Sequence, residues 1–203
     1  RPYEQEYLGF FLTYKKRFSN NWDLMASYSY SDSEGLNPRY FTTSWSGQGQ
    51  VLYANRSEAD PNAFVNSYKT LGGDRRHVLR IVGNVVLPLD FRLNSVINIQ
   101  SGRVYDRFLR VPVPSTAGTF DVISQPASDD QRFPTQYLWD LGFGKNFNLG
   151  KGTDFSIFIQ ILNLLNDDAV VSWRDSTWPV GQEPLPGSWV LPRRAELRLR
   201  VAF

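Results

Sequence analysis

From Trp22 to Ser31 the side chains alternate: Trp22, Leu24, Ala26, Tyr28 and Tyr30 fall on one side of an extended chain, and Asp23, Met25, Ser27, Ser29 and Ser31 on the other. Successive Cβ atoms of a strand point to opposite faces, so a period of two predicts one oily face and one polar face. Other segments repeat the pattern. Leu8, Phe10, Leu12, Tyr14 and Phe18 alternate with Gly9, Phe11, Thr13, Lys15 and Arg17. Leu79, Ile81, Val85 and Leu87 stand against Arg80 and Asn84; Phe91, Leu93, Ile97 and Ile99 stand against Arg92, Asn94, Asn98 and Gln100. Tyr137, Trp139, Leu141, Phe143, Phe147 and Leu149 oppose Asp140, Gly142, Gly144, Asn146 and Asn148, and a sixth segment shows Phe155, Ile157, Ile159, Ile161 and Leu165 on one face. The last, RRAELRLRVAF, sets Ala195, Leu197, Leu199, Val201 and Phe203 against Arg194, Glu196, Arg198, Arg200 and Ala202. No segment has helical spacing of comparable quality. The expected class is all-β, with about seven antiparallel strands.

The connections sharpen this expectation. Short links at Ser19 to Asn21, Pro88 to Asp90 and Gly150 to Gly152 alternate with long ones at about 33–76, 104–135 and 167–193. Compact soluble domains rarely hold several structureless loops beyond about 12–15 residues. Transmembrane β-barrels have short turns at one end and long loops at the other. Rings follow the same polarity: Trp22, Phe91, Phe147 and Phe203 lie next to the short turns, and Tyr28, Tyr30, Tyr137 and Trp139 lie near the long loops. Two aromatic belts are what the two interfaces of a bilayer select. An odd strand count cannot close by itself, and an open edge in lipid leaves backbone groups unsatisfied. The chain is therefore expected to be the C-terminal part, residues 1–203, of a larger antiparallel transmembrane β-barrel.

Composition changes the picture only slightly. With 41% hydrophobic and 21% charged residues among 203, the chain has the make-up of a soluble domain. A barrel strand shows lipid only every second residue, however, so a mean hydropathy of −0.37 does not count against a membrane. The longest greasy run, Phe155 to Leu165, is broken by Ser156, Gln160 and Asn163, so no transmembrane helix is expected. An aromatic content of 15% suits interfacial girdles. There is no cysteine, hence no disulfide and no thiolate metal site. The net charge of +2 is dispersed along the chain, which gives no patch for nucleic acid. RPYEQEYLGFF lacks the features of a signal peptide, so an exported protein would be represented here by a mature or cut form.

AELRLRVAF, FSIFIQILNLLND, RRHVLRIVGNVVLP, FRLNSVINIQSGR and the GGDRRHV approach to a strand resemble the last strands of TonB-dependent outer-membrane receptors, most closely the Oar-like branch. The resemblance covers nearly the whole chain. It implies a 22-stranded barrel, multi-pass in the outer membrane, with an internal plug domain that is not in this chain. It also implies energised uptake of a ligand such as an oligosaccharide, peptide or metal chelate through the TonB system. The family's C-terminal aromatic, read by the barrel-assembly machinery, corresponds to Phe203, with Leu199 and Val201 before it. Other readings are a structural or anchoring barrel subunit of a surface complex and a soluble secreted β-sandwich binding module.

Candidate site residues follow from the faces. Lys15, Arg17, Asp23, Arg80, Arg92, Asp140, Arg194, Glu196, Arg198 and Arg200 would face the lumen, either as a solvated or plug-facing salt-bridge network or as a field that favours anionic groups. Tyr40, Trp45, Tyr53, Trp173, Trp178 and Trp189 in the long loops could stack on sugars or grip peptides, or pack the loops on each other. Neither catalysis nor a cofactor is expected. Ser67, Asp74 and the single histidine, His77, crowd one strand entrance and are not expected to work as a triad, and one histidine excludes a His-pair zinc site. GFGKNF and GKG are only superficially similar to phosphate loops, since neither leads into a helix. Asp129 with Asp130, and Asp167 with Asp168, lack calcium-loop spacing. The expected partners are outer-membrane lipid, the barrel-assembly machinery, the protein's own plug domain and the TonB system.

The alternation of loop lengths fixes an expected orientation. Single cysteines at Gly47, Thr119 or Gly181 should react on intact cells with an impermeant maleimide, whereas those at Asn20 or Lys151 should stay unlabelled. Labelling of the turns with protection of the loops would reverse the orientation.

Overall fold

Seven strands pair in the order in which they leave the chain, each antiparallel to the one before: β1 (Gln5–Ser19), β2 (Trp22–Leu36), β4 (His77–Leu87), β5 (Phe91–Gln100), β8 (Gln136–Gly150), β9 (Thr153–Leu162) and β12 (Arg194–Ala202). The computed structural model describes residues 4–36, 65–112, 119–150, 152–178 and 182–203. Tyr40, Trp45, Tyr53, Gly47, Lys151 and Gly181 lie outside the described residues.

Turn chemistry sets the register. Asn20 and Asn21 both take positive φ, 52° and 66°, in the two-residue loop between Ser19 and Trp22. Asparagine tolerates this region, and the resulting twist matches that of the flanking strands. Between Leu87 and Phe91 the chain reverses through a single 3-10 turn, Pro88–Asp90, in which Leu89 has φ 63° and stands 77% exposed. At the third tight turn Gly150 and Gly152 have φ 78° and 80°, a region where a Cβ would be strained.

The register carries the apolar face across the whole sheet. Cα partners run Leu12–Tyr28–Leu79–Ile99–Tyr137 in one row and Trp22–Val85–Leu93–Phe143–Ile159–Leu197 in another. The opposite face carries Thr13–Ser27–Arg80–Asn98 and Asp23–Asn84–Asn94–Gly142–Gln160–Glu196. Two expectations need correction. Between Lys16↔Leu24 and Ser19↔Trp22, Arg17 and Phe18 oppose the single residue Asp23. This bulge brings Phe18 against the hollow on the polar face instead of leaving it on the apolar one. Leu165 is not part of a strand: β9 stops at Leu162, because Asn163 turns the chain at φ 52°.

The long connections are not structureless. The first carries β3 (Tyr68–Thr70), which pairs with the end of β2; the second a hairpin of β6 (Arg107–Pro112) and β7 (Thr119–Gln125); the third a hairpin of β10 (Val170–Trp173) and β11 (Pro186–Trp189). Among the described residues the buried apolar ones are Val104, Ile123, Ala127, Phe133 and Ala169, all in the second and third connections. The apolar core thus sits in a cap at the long-connection end. Among the described residues, neither face of the sheet is covered by another layer.

Candidate functional site

Two regions bring chemistry together: the polar face of the sheet and the cap. Lys15, Asp23, Arg80, Arg92, Asp140, Glu196, Arg198 and Arg200 share the polar face by register. This face is concave. A hollow of about 490 Å3 spans β2, β4, β5, β8 and β9, lined by Asp23, Asn84, Arg92, Asn94, Ser156 and Phe158 among others. A second hollow, of about 330 Å3, lies beside Asp154, Asn146 and Arg200. Among the described residues the strand charges form little of a salt-bridge network. Arg194 meets Glu196 at 3.6 Å, and the Arg198 guanidinium stands 6.0 Å from the Phe158 ring. Asp140 instead ends a strand, its carboxylate accepting the Asn163 N–H at 2.8 Å.

The dense network is in the cap. Arg76, just before β4, donates to Asp32 at 2.6 Å and to both oxygens of Asp129 at 2.8 Å. Arg132 reaches Asp129 at 2.6 Å and Asp74 at 2.5 Å. The Asp74 side chain is wholly inaccessible, and its other oxygen accepts from Ser33 at 3.3 Å. The network therefore ties β2, the approach to β4 and the loop before β8. Burial opposes the charge on Arg76, but its bonds to Asp129, Asp32 and Tyr30 outweigh that and hold its pKa above the usual range. The hydrogen bond from Arg76 holds the Asp129 carboxyl below its ordinary range against a smaller desolvation effect, and Arg132 adds to this. Lys69, with a side chain 2% exposed, bonds Asp106 at 2.5 Å; desolvation still lowers its pKa, the Asp106 contact opposing. Sequence reading missed this network. The signal was the short-range pairing of opposite charges in GGDRRHV and SDDQR.

Aromatic packing accounts for two of the loop tryptophans. Trp173 lies edge-on to Tyr105 at 5.5 Å and 5.1 Å from Phe133; Trp178 lies 6.3 Å from Tyr105 with the Arg107 guanidinium 5.3 Å over it. Trp189 alone of the three is largely exposed, at 54%. Among the described residues, the buried Trp173 Nε1 and Gln131 Oε1 find no hydrogen-bond partner. Gly102 permits the closest approach in the cap, since a Cβ there would collide with the Phe133 backbone.

Ser67, Asp74 and His77 form no triad. Asp74 is held by Arg132 and Ser33, Ser67 is 1% exposed, and the His77 ring shares a 2.8 Å hydrogen bond with the Tyr28 hydroxyl on the opposite face. Asp129 serves the two arginines, and Asp167 accepts the Tyr137 N–H at 3.0 Å while its own N–H donates to Asn163. Among the described residues no group of three or more His, Cys, Asp or Glu is placed to hold a metal ion. No helix among them is long and apolar enough to cross a membrane, which says nothing of crossing by strands. Comparisons with protein-family models, curated proteins and solved structures return no match for this chain.

Two predictions follow from the cap. Arg132→Met strands the inaccessible Asp74 carboxylate and should weaken the cap by about 3 kcal/mol, while Arg132→Met with Asp74→Asn should restore most of it. Hydrogen exchange of the 70–76 and 129–135 backbones reads both; equal exchange in parent and single variant would refute the network's role. Because the folded pKa of Asp129 is depressed, its contribution is complete above the ordinary aspartate range and is lost as pH falls through the depressed value. The same amides, corrected for intrinsic rate, should therefore lose protection on acidification below that range, and Asp129→Asn should flatten the response.

Proposed function

We propose that this chain is a wall segment of an outer-membrane β-barrel, the C-terminal portion of a TonB-dependent receptor-type transporter of the Oar-like branch. One observation carries the reading: the sheet is inside out relative to a water-soluble fold. Its hollowed face is polar, and its other face is apolar and bare, with Leu12 60%, Phe143 43%, Ile159 46% and Leu199 58% exposed. Covering a Leu, Phe or Ile side chain is worth about 1.5–3 kcal/mol. Left in water, a face of this extent would forgo an amount comparable with the whole stability of a domain, about 5–15 kcal/mol. Lipid provides the cover with no second protein layer.

β1 and β12 have one partner each within the described residues, consistent with further strands, up to the 22 of the family, closing the barrel. The resemblance supplies the rest: a plug domain, the TonB system, the barrel-assembly machinery reading Phe203, and uptake of an oligosaccharide, peptide or metal chelate. The reading assigns no catalysis and no cofactor. One feature favours the anchoring alternative as the second reading: the Tyr105, Phe133, Trp173 and Trp178 rings pack on one another and so present little stacking surface.

The test is asymmetric charge tolerance in the full-length protein. Leu197→Arg, mid-strand in β12 and two residues further from the short-turn end than Leu199, should cost about 2–4 kcal/mol on a lipid-facing strand and lower the heat-modifiable folded fraction in outer-membrane extracts, with Arg198→Gln costing far less. On a water-exposed surface Leu197→Arg would stay within about 0.5 kcal/mol. A folded fraction equal to the parent's for Leu197→Arg, with failure of Arg198→Gln, overturns the membrane reading. Deleting Phe203 should lower assembly yield without changing the stability of what has assembled.

A further inference from the structure

Between its tyrosines and the short turns, the apolar face carries two charged side chains among the described residues, Lys16 and Lys145, both cations. They are held differently. The Lys16 ammonium donates to Ser19 O at 2.8 Å, Ser19 Oγ at 3.0 Å and Trp22 O at 2.8 Å, and sits 3.7 Å from the Trp22 ring centroid. All of its donors are used in closing the bulged turn. Lys145 has no such acceptors. Its ammonium stands 4.4 Å over Phe91 and 5.1 Å over Phe147, and those rings continue into the Phe91–Phe143 and Phe147–Phe155 pairs. Among the described residues no carboxylate pairs with it.

An ammonium on an apolar face is costly at mid-membrane and nearly free near an interface, so such a group belongs at headgroup level. Phe91, its cross-strand neighbour, is the first residue after a short turn, which places it toward that end. Phenylalanine faces attract the cation but leave its N–H donors unfilled. The complement is an acceptor that brings negative charge together with hydrocarbon able to lie along Phe143, Ile157 and Leu199. We infer that Lys145, framed by Phe91 and Phe147, is a seat for the phosphate of one glycerophospholipid in the leaflet at the short-turn end. This rests on the membrane-wall reading, and it adds a specific lipid to a face that otherwise meets bulk bilayer.

The experiment uses the full-length protein, reconstituted in vesicles of phosphatidylethanolamine and phosphatidylglycerol, floated, transferred to a phosphate-free detergent and examined by native mass spectrometry for retained lipid. The parent should keep a bound phosphatidylglycerol, Lys145→Met should keep it about tenfold or more less well, and Lys145→Arg should restore it. Lys16→Met should retain the lipid as the parent does, because that ammonium is committed to the turn. Replacing phosphatidylglycerol with uncharged diacylglycerol in parent vesicles should leave a retained phosphatidylethanolamine, whose phosphate serves the same seat, and no retained diacylglycerol; retention of diacylglycerol instead would overturn the assignment of the phosphate, and this arm covers the case in which Lys145→Met assembles poorly. Inorganic phosphate alone should neither bind nor displace the lipid; if it occupies the site equally well, the seat is for a free anion and the lipid assignment is overturned. A protein that floats but retains lipid equally in parent and Lys145→Met overturns this inference and leaves the membrane wall standing. A protein that does not float overturns both.

Discussion

Every property of this sheet depends on an unbroken antiparallel ladder that keeps the side-chain period of two in phase across seven strands. A slip of one residue in any pairing would send a whole strand's leucines and isoleucines to the polar side. The chain secures phase at the tight turns, through paired asparagines at Asn20 and Asn21, a proline-led 3-10 turn, and the Gly150–Gly152 reversal. The two irregularities among the described residues of the ladder, the bulge at Arg17 and Phe18 and the shift between Asn148 and Gly150, each sit beside a turn, and Lys16 is bonded across the first to Ser19 and Trp22. Given that phase, the arginines of β12 and the leucines between them are separated by the thickness of a single backbone layer.

The cap obeys a different economy. Its interior combines few aliphatic residues with buried polar ones: Ser67, Lys69, Thr70 and Asp74 are all nearly inaccessible. Burying such groups is unfavourable unless each finds a partner, which explains the density of bonds among Arg76, Asp129, Arg132 and Asp74 and the short Lys69 to Asp106 contact. Charge here replaces the grease that the sheet displays outward. The approach to β4 is thereby held in a fixed position without help from the sheet's faces.

How much of this was legible in the sequence divides along the same line. Alternation identified seven of the eight strands of the sheet, missing only the three-residue β3, and put Arg80, Arg92, Glu196, Arg198 and Arg200 on one face, because that pattern is local. It misjudged Phe18 and Leu165, where one bulge and one left-handed asparagine override the period within a residue or two. It left the long connections blank, because β6 with β7 and β10 with β11 are brief and lack a clean period. The salt-bridge network was missed for another reason: apart from the local Asp129–Arg132 pair, its members Asp32, Asp74, Arg76, Asp129 and Arg132 come from three separate stretches, and only the fold brings them together. Trp173 and Trp178 showed the limit of residue type as a guide, since a tryptophan in a loop serves packing as readily as recognition.

The bonds that cross between connections imply an order of events. The hairpins β1–β2, β4–β5 and β8–β9 close over a few residues each, so little chain entropy opposes them. The bonds from Thr70 N–H to Ala127 and from Phe108 N–H to Ser176 join different connections, and they can form only once those hairpins stand side by side. The cap is therefore a late structure in assembly. Its closure reports that neighbouring hairpins have zipped together in register, so a mispaired sheet would betray itself by an open, protease-sensitive top.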